Sequence, residues 1–267
     1  MKHLAKKRFG QNFLTDQAII TRLVEAVDPE EGQMLIEIGP GLGALTKPLL
    51  SKVTELHVVE IDRDIVSWMN TEYSMPTYQK NKLIIHNVDA LKFDFSSLGS
   101  HLRVIGNLPY NISTPILFHL LDNLPCITDM HFMLQKEVVE RMVAVPATPA
   151  YGRLSVMLQY YLHMEYLMTV PPEAFNPAPK VESAFVRCVP HAELPFIAKD
   201  TDLFAKVVLA AFSQRRKTIR NTLKPLLSND DFVKLDIDAQ RRAETFTVAE
   251  FVEMTNYLYS ASLVSSD

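Results

Sequence analysis

Two patterns of hydrophobic and polar positions alternate along the first 145 residues of the chain. Short apolar runs, typical of strands buried on both faces, are separated by segments with apolar positions at helical spacing. The predicted strands are 34–38, 56–60, 83–85, 103–106, 130–134 and 183–189, and the predicted helices of this part are 16–27, 45–50, 64–70 and 116–121. This alternation predicts an α/β fold, with helices on both faces of a mainly parallel sheet.

Local signals refine two of these boundaries. Thr114 and Pro115 are a favourable N-cap and first helical residue, and they predict that a helix begins there after the fourth strand. Residues 171–179 contain four prolines and predict a stiff loop rather than a helix or a central strand.

The pattern changes after about residue 192, where only helical signals remain. Helices are predicted at 203–212, 217–227 and 247–257, and Thr247 with Glu250 forms a capping box at the start of the last one. We therefore predict two domains: an α/β domain over 1–192 and a small all-helical domain over 193–267.

Composition is that of an ordinary globular protein. Of the 267 residues, 48% are hydrophobic and 22% are charged, and no apolar run approaches the roughly 20 residues that span a bilayer. The N-terminus is basic but lacks the apolar segment of a secretory signal. Cys126 and Cys188 lack metal-ligand spacing, which predicts buried thiols in a reducing cytoplasm and no bound metal.

The net charge of −4 argues mildly against nucleic-acid binding, but two segments are basic without any acid. The first holds Lys2, Lys6, Lys7 and Arg8, and the second holds Arg215, Arg216, Lys217, Arg220 and Lys224. Taken alone, each is compatible with a solvated surface or with a site that binds phosphate.

A glycine-rich turn and a strand-end acid indicate a nucleotide-type cofactor. Gly39-x-Gly41-x-x-Ala44 follows the first strand, and Glu60 ends the next, where its carboxylate is able to accept both ribose hydroxyls. These features fit NAD and S-adenosylmethionine equally well, and a tight turn beside a solvated glutamate is the simpler alternative.

Two further acids favour S-adenosylmethionine. Glu37 precedes the glycine turn, where a carboxylate disfavours a pyrophosphate and favours an ammonium or a sulfonium. Asp89 follows the third strand, where it is able to accept a hydrogen bond from an adenine amine, although an isolated aspartate there is usually a turn former. The carboxyl ends of parallel strands share one edge of the sheet, so the acids are expected to lie together.

The tetrapeptide 107–110 follows the fourth strand and is either a turn or a grip on a nucleobase amine. The side-chain oxygen of Asn107 and the carbonyl of Leu108 are able to accept both N6–H bonds of an adenine, and Pro109 stiffens that carbonyl. Tyr110 and Phe175 are able to stack on the two faces of the base.

Four segments, 8–14, 37–41, 107–113 and 175–181, together closely resemble the ribosomal RNA adenine dimethyltransferases, and most closely the bacterial small-subunit type. The resemblance covers essentially the whole chain. It implies a Rossmann-like methyltransferase sheet that binds S-adenosylmethionine and a helical domain that binds RNA. The implied cofactor-binding residues are Asn12, Leu14, Gly39, Gly41, Glu60, Asp89 and Asn107. Those implied to hold the reacting adenine are Asn107, Leu108, Pro109, Tyr110 and Phe175.

The implied reaction is N6,N6-dimethylation of two adjacent adenines in a hairpin loop of 16S ribosomal RNA, with a role in small-subunit assembly. The implied protein is a cytoplasmic monomer whose partner is the small ribosomal subunit, with no membrane partner. Under this interpretation, both basic segments bind RNA phosphates.

Two other functions remain possible at the sequence level. One is a 23S ribosomal RNA methyltransferase of the macrolide-resistance type, against which Leu108 and the segment 9–14 argue. The other is a non-catalytic RNA-binding assembly factor, which is disfavoured because the four residues Asn107, Tyr110, Glu60 and Asp89 are all intact.

Overall fold

The computed structural model describes residues 12–75, 81–109 and 112–264. The strands, numbered in chain order, are β1 (Phe13–Leu14), β2 (Met34–Ile38), β3 (Glu55–Val59), β4 (Lys82–His86), β5 (Leu102–Asn107), β6 (Ile127–Gln135), β7 (Leu162–Val170), β8 (Phe175–Asn176) and β9 (Ser183–Pro190). The helices are α1 (Gln17–Val27), α2 (Thr46–Leu50), α3 (Arg63–Glu72), α4 (Ser113–Leu121), α5 (Lys136–Val143), α6 (Arg153–Tyr161), α7 (Thr201–Ala211), α8 (Ile219–Thr222), α9 (Asn229–Lys234) and α10 (Val248–Val264).

Seven of the strands form one sheet in the order β4-β3-β2-β5-β6-β9-β7. Strands β2 to β6 pair parallel with one another, and β9 pairs antiparallel with β6. The α/β fold predicted from the alternating pattern is confirmed. The chain runs outward from β2 to β4 and then returns to β5 on the other side of β2. The carboxyl ends of β2 and β5 therefore flank a topological switch point, where open α/β sheets bind their ligands.

The apolar runs form strands because both faces of the sheet are covered. Four of the five residues of β2 are buried, as are four of the five residues of β3. Helix α1 packs its stripe of Ile20, Leu23, Val24 and Val27 into the core, and its N-cap Asp16 accepts a hydrogen bond from the Ile19 amide at 3.0 Å.

The described chain divides into two compact units. The first contains the described residues up to Val139 together with Glu165–Pro190, and the second contains Glu140–Met164 and the chain from His191 onward. Residues 140–164, which the sequence grouped with the α/β part, thus cluster with the helical unit. None of the described helices is long and apolar enough to cross a membrane.

Some helix boundaries differ from the predicted ones. The helix expected over 217–227 is reduced to α8, because the Ile219 and Arg220 amides donate to the carbonyls of Arg241 and Ala239 and because Pro225 prevents continuation. Helix α4 begins at Ser113 rather than after a Thr114 cap, with Pro115 still inside the first turn, where no amide is required. The capping box of Thr247 and Glu250 is present: the Thr247 amide donates to Glu250 at 2.7 Å.

Candidate active site

A cleft of about 210 Å³ opens at the carboxyl ends of β2, β3 and β5, within the first unit. The strand ends and following loops contribute its polar groups, and apolar side chains line most of the rest. The lining residues are Asn12, Phe13, Leu14, Glu37, Ile38, Gly39, Pro40, Gly41, Leu42, Ala44, Leu45, Val59, Glu60, Ile61, Ile65, Val88, Asp89, Ala90, Leu91, Asn107, Leu108, Pro109, Ile112 and Phe175.

The glycine turn after β2 forms one wall. Gly41 adopts a φ of 54°, and a Cβ placed on it would lie 3.1 Å from the Phe13 ring, so both the backbone conformation and the close approach favour glycine. The amide of Gly39 donates to the Val59 carbonyl at 2.9 Å, which fixes the turn to the end of β3. The turn thus presents its backbone to the cleft.

Two buried carboxyl groups flank this turn. Glu60 Oε1 accepts the Asp62 amide at 2.8 Å, and burial raises the pKa of Glu60 although backbone amides, including that of Gly41, act in the opposite direction. Glu37 Oε2 accepts the Thr46 hydroxyl at 2.6 Å. Burial raises the pKa of Glu37 to about 7, with a smaller contribution in the same direction from the charge of Glu60.

Asp89 follows β4, the strand predicted over 83–85, as expected. Its Oδ1 accepts the Leu91 amide at 3.0 Å and caps a short 3₁₀ turn, Ala90–Lys92. Asn87 connects this loop to its neighbour, because its side-chain amide donates to the Glu60 carbonyl at 2.8 Å. Asp89 therefore both caps a turn and lines the cleft.

The Asn107 segment forms the opposite wall. Gly106 lets β5 approach β2 closely, since a Cβ there would lie 2.8 Å from the Ile38 carbonyl oxygen. Asn107 is the last residue of β5, and its Nδ2 donates to the Asn12 carbonyl at 3.3 Å, which leaves Oδ1 as the acceptor on the other arm of the amide. The Leu108 amide donates to the Met133 carbonyl at 3.1 Å, so the backbone is anchored just past the strand.

A short two-stranded sheet brings the N-terminal segment and the proline-rich loop together. Strands β1 and β8 pair antiparallel, with Leu14 opposite Phe175. The Thr15 amide donates to the Ala174 carbonyl at 2.8 Å and reinforces this pairing. Asn12 and Phe175 consequently reach the same cleft although they are far apart in the chain.

Nearly all residues predicted for the site line this one cleft, while their individual roles stay predictions. They are Asn12, Leu14, Gly39, Gly41, Glu60, Asp89, Asn107, Leu108, Pro109 and Phe175. Tyr110 lies outside the described residues. The sequence reasoning missed apolar lining residues such as Phe13, Ile61 and Ile112, whose only signal is that each lies within a few positions of a predicted polar residue.

The basic residues of the second segment do not line the cleft and belong to the second unit. All five are exposed. Their positions along the chain are near helical spacing, which predicts that they share a helix, but this is wrong, because Arg220 alone among them lies on a described helix. Arg215 Nη2 donates to the Pro149 carbonyl at 2.6 Å. Lys2, Lys6, Lys7 and Arg8 lie outside the described residues. Cys126 and Cys188 are buried free thiols, as predicted.

A parallel sheet whose switch point holds a glycine turn, strand-end acids and an Asn-Leu-Pro segment defines a Rossmann-like methyltransferase. The family model described as ribosomal RNA adenine dimethylase matches residues 2–260, and the chain belongs to this family. It is therefore an enzyme of the ribosomal RNA adenine dimethyltransferase class.

Similar proteins agree with this assignment. A ribosomal RNA small subunit methyltransferase A from Methylobacillus flagellatus is 65% identical over 97% of this chain and 99% of its own length. One from Thiobacillus denitrificans is 57% identical over 96% and 98%. A solved dimethyladenosine transferase from Plasmodium falciparum shares the fold, with a TM-score of 0.81 at 24% identity over 94% of this chain and 98% of that one. A solved 23S rRNA methyltransferase shares it with a TM-score of 0.72 at 22% identity over 93% and 100%.

Proposed function

We propose that this enzyme transfers methyl groups from S-adenosylmethionine to the N6 amines of two adjacent adenines in a hairpin loop of 16S ribosomal RNA. It does so on the small ribosomal subunit, as a cytoplasmic monomer, and contributes to assembly of that subunit. The names of the relatives at 65% and 57% identity support the choice of the small subunit over the large one.

One observation carries the choice of cofactor. Among the described residues that line the cleft, the ionisable side chains are Glu37, Glu60 and Asp89, and none is Lys, Arg or His. A lining with this charge repels the pyrophosphate of a dinucleotide and attracts a cofactor that carries a sulfonium and an ammonium. The residues therefore fit S-adenosylmethionine: the glycine turn holds the methionine part, Glu60 the ribose and Asp89 the adenine.

The chain's own contribution to the reaction is the geometry of the accepting amine. An adenine N6 amine is a poor nucleophile because its lone pair is delocalised into the ring. Asn107 Oδ1 and the Leu108 carbonyl each accept one N6–H bond, which favours a tetrahedral amine with its lone pair directed at the methyl group. When bound, the cofactor supplies that methyl on an electrophilic sulfonium. Orientation of this kind contributes roughly 7–11 kcal/mol in well-aligned systems.

Stacking holds the base in the cleft. Phe175 lies on the proline-stiffened loop and lines the cleft next to the glycine turn and the Asn107 segment. A base stacked on an aromatic side chain gains roughly 1–3 kcal/mol, which offsets part of the cost of removing the adenine from its own stack.

The proposed substrate is tested by supplying labelled S-adenosylmethionine together with undermethylated small subunits, with large subunits or with naked ribosomal RNA. Nucleoside digestion then identifies the product and the particle that received it. We expect N6,N6-dimethyladenosine in the small subunit. Label in the large subunit would favour the 23S reaction instead, and binding of small subunits without label in any particle would favour a non-catalytic assembly factor.

Charge reversal in the second basic segment is expected to weaken RNA binding. Arg215→Glu/Arg216→Glu should lower the affinity for small subunits and reduce the slope of log affinity against log salt by about one per residue. The slope falls because binding releases fewer counterions from the RNA when fewer protein cations contact its phosphates. Filter binding at several salt concentrations measures both quantities, and cofactor affinity should be unchanged.

Two controls separate charge from structure in that experiment. Arg216→Glu/Lys217→Glu keeps the bond from Arg215 to the Pro149 carbonyl and should weaken binding similarly. Lys52→Glu/Lys206→Glu makes the same charge change at exposed positions outside the segment and should have little effect. Equal salt slopes for all three variants would refute the assignment.

A further inference from the structure

Glu37 is a buried acid in the middle of the sheet, and none of the described residues that line the cleft with it is a base. Glu37 lies near the end of β2 and is 2% exposed. Its Oε2 accepts a hydrogen bond from the Thr46 hydroxyl of α2 at 2.6 Å. It lines the cleft beside Gly39 and Pro40. A buried carboxyl in such a position is expensive to ionise unless a cation comes close.

Within the part of the chain that the structure describes, the groups packed around Glu37 supply no such cation. Its partners on the adjacent strands are Val58 of β3 and Ile105 of β5, both apolar. Glu60, after β3, is the charged group that acts on it, and its effect is repulsive. The next titratable side chain along this row is His131 on β6, which pairs with Ile105; burial lowers its pKa to about 4, so it is neutral near pH 7.

From this arrangement we propose that Glu37, held by Thr46, makes the cofactor site discriminate between the sulfonium cofactor and its thioether product. This inference rests on the proposed use of S-adenosylmethionine. The charge of ionised Glu37 is compensated when a sulfonium occupies the cleft. Methyl transfer converts the sulfonium to a neutral thioether, while the α-ammonium remains on the product. The compensation due to the sulfonium is therefore lost, and the product is held less tightly. Glu37 thereby favours exchange of spent cofactor, which an enzyme that methylates one nitrogen twice requires.

The direction of the pH dependence follows from the same group. Burial raises the pKa of Glu37 to about 7, so the carboxyl is mainly neutral below that pH and mainly ionised above it. A bound sulfonium favours the ionised form more strongly than a bound thioether does, because the α-ammonium is common to both molecules. The preference for S-adenosylmethionine over S-adenosylhomocysteine should therefore rise as the pH increases toward about 7 and level off above it.

Isothermal titration calorimetry of the full-length protein with each of the two molecules, between pH 5 and pH 8.5, measures this preference without any turnover. In the wild-type protein the affinity ratio should increase by about tenfold across this range, the size expected for one charge pair in a partly screened interior. In Glu37→Gln the ratio at high pH should be smaller than in the wild-type protein, and it should be nearly independent of pH. Any change that remains in this variant comes from titration of the ligands' own amines and serves as the baseline.

Thr46→Val provides a second, nearly isosteric test that leaves the acid in place. Loss of the hydroxyl donor removes a group that stabilises the carboxylate, so the pH at which the ratio rises should move upward. A role of Thr46 in packing alone would not move this midpoint. Thr222→Val, at a buried threonine of the second unit, is the matched control and should leave the profile unchanged.

The possible outcomes are distinct. A ratio that is independent of pH in the wild-type protein, or a rise that persists unchanged in Glu37→Gln, overturns the inference while the proposed function stands. Failure of both molecules to bind the wild-type protein overturns the proposed function together with the inference. A rise that is lost in Glu37→Gln and displaced in Thr46→Val supports it.

Discussion

Asn107→Ala is expected to lower the rate of methyl transfer about 100- to 1,000-fold, the loss typical of removing one pre-oriented hydrogen-bonding group from a reacting centre. The alanine variant retains the Leu108 carbonyl but loses the Oδ1 acceptor, so the N6 amine is no longer held by two hydrogen bonds. Single-turnover measurement with labelled S-adenosylmethionine and undermethylated small subunits reports the chemical step directly.

The interpretation of this loss depends on what the variant keeps. Asn107→Ala also loses the hydrogen bond from Asn107 to the Asn12 carbonyl, so the affinity for the cofactor should fall modestly. The unfolding midpoint should change little. Asn123→Ala removes a comparable amide that donates to the His119 carbonyl outside the cleft, and it should retain activity. Near wild-type turnover of Asn107→Ala would exclude the proposed role of its oxygen.

The polar half of the cleft could be predicted because it follows from strand ends. Glu60, Asp89 and Asn107 each end or follow an apolar run, and parallel strands bring their carboxyl ends to one edge. Once the runs are recognised, the positions of these side chains follow from topology without knowledge of distances. The order β3-β2-β5, and therefore the position of the switch point, could not be predicted, because the hydrophobic pattern of a strand does not show which strands pair with it.

The elements that were missed have weaker local signals. Strand β7, for example, is buried only at its first and last residues and follows α6 without a turn residue between them. Strands β1 and β8 are two residues long and exist because they pair with each other across a long stretch of sequence. Such elements are fixed by tertiary contacts, which periodicity within a short window does not contain.

A buried ion-pair network at the opposite end of β5 was likewise absent from the sequence prediction. Arg103 Nε and Nη2 both donate to the Asp129 carboxylate at 2.9 Å, and the same guanidinium reaches the Val27 carbonyl at 2.7 Å and Gln33 Oε1 at 2.6 Å. Arg103 therefore connects β5, β6 and the C-terminus of α1. From the sequence, Arg103 was only the first residue of an apolar run.

Arg103→Met is expected to lower the free energy of unfolding by about 3–5 kcal/mol, because it leaves Asp129 buried without its bidentate partner and the α1 carbonyl unpaired. Urea unfolding followed by circular dichroism measures this change. Arg187→Met is the matched control: its guanidinium is 3.8 Å from Asp129 but 44% exposed, so its loss should cost no more than about 1 kcal/mol. Arg103→Met/Asp129→Leu should recover part of the stability, since it removes the unpaired charge. Equal stability of Arg103→Met and Arg187→Met would show that the network contributes little.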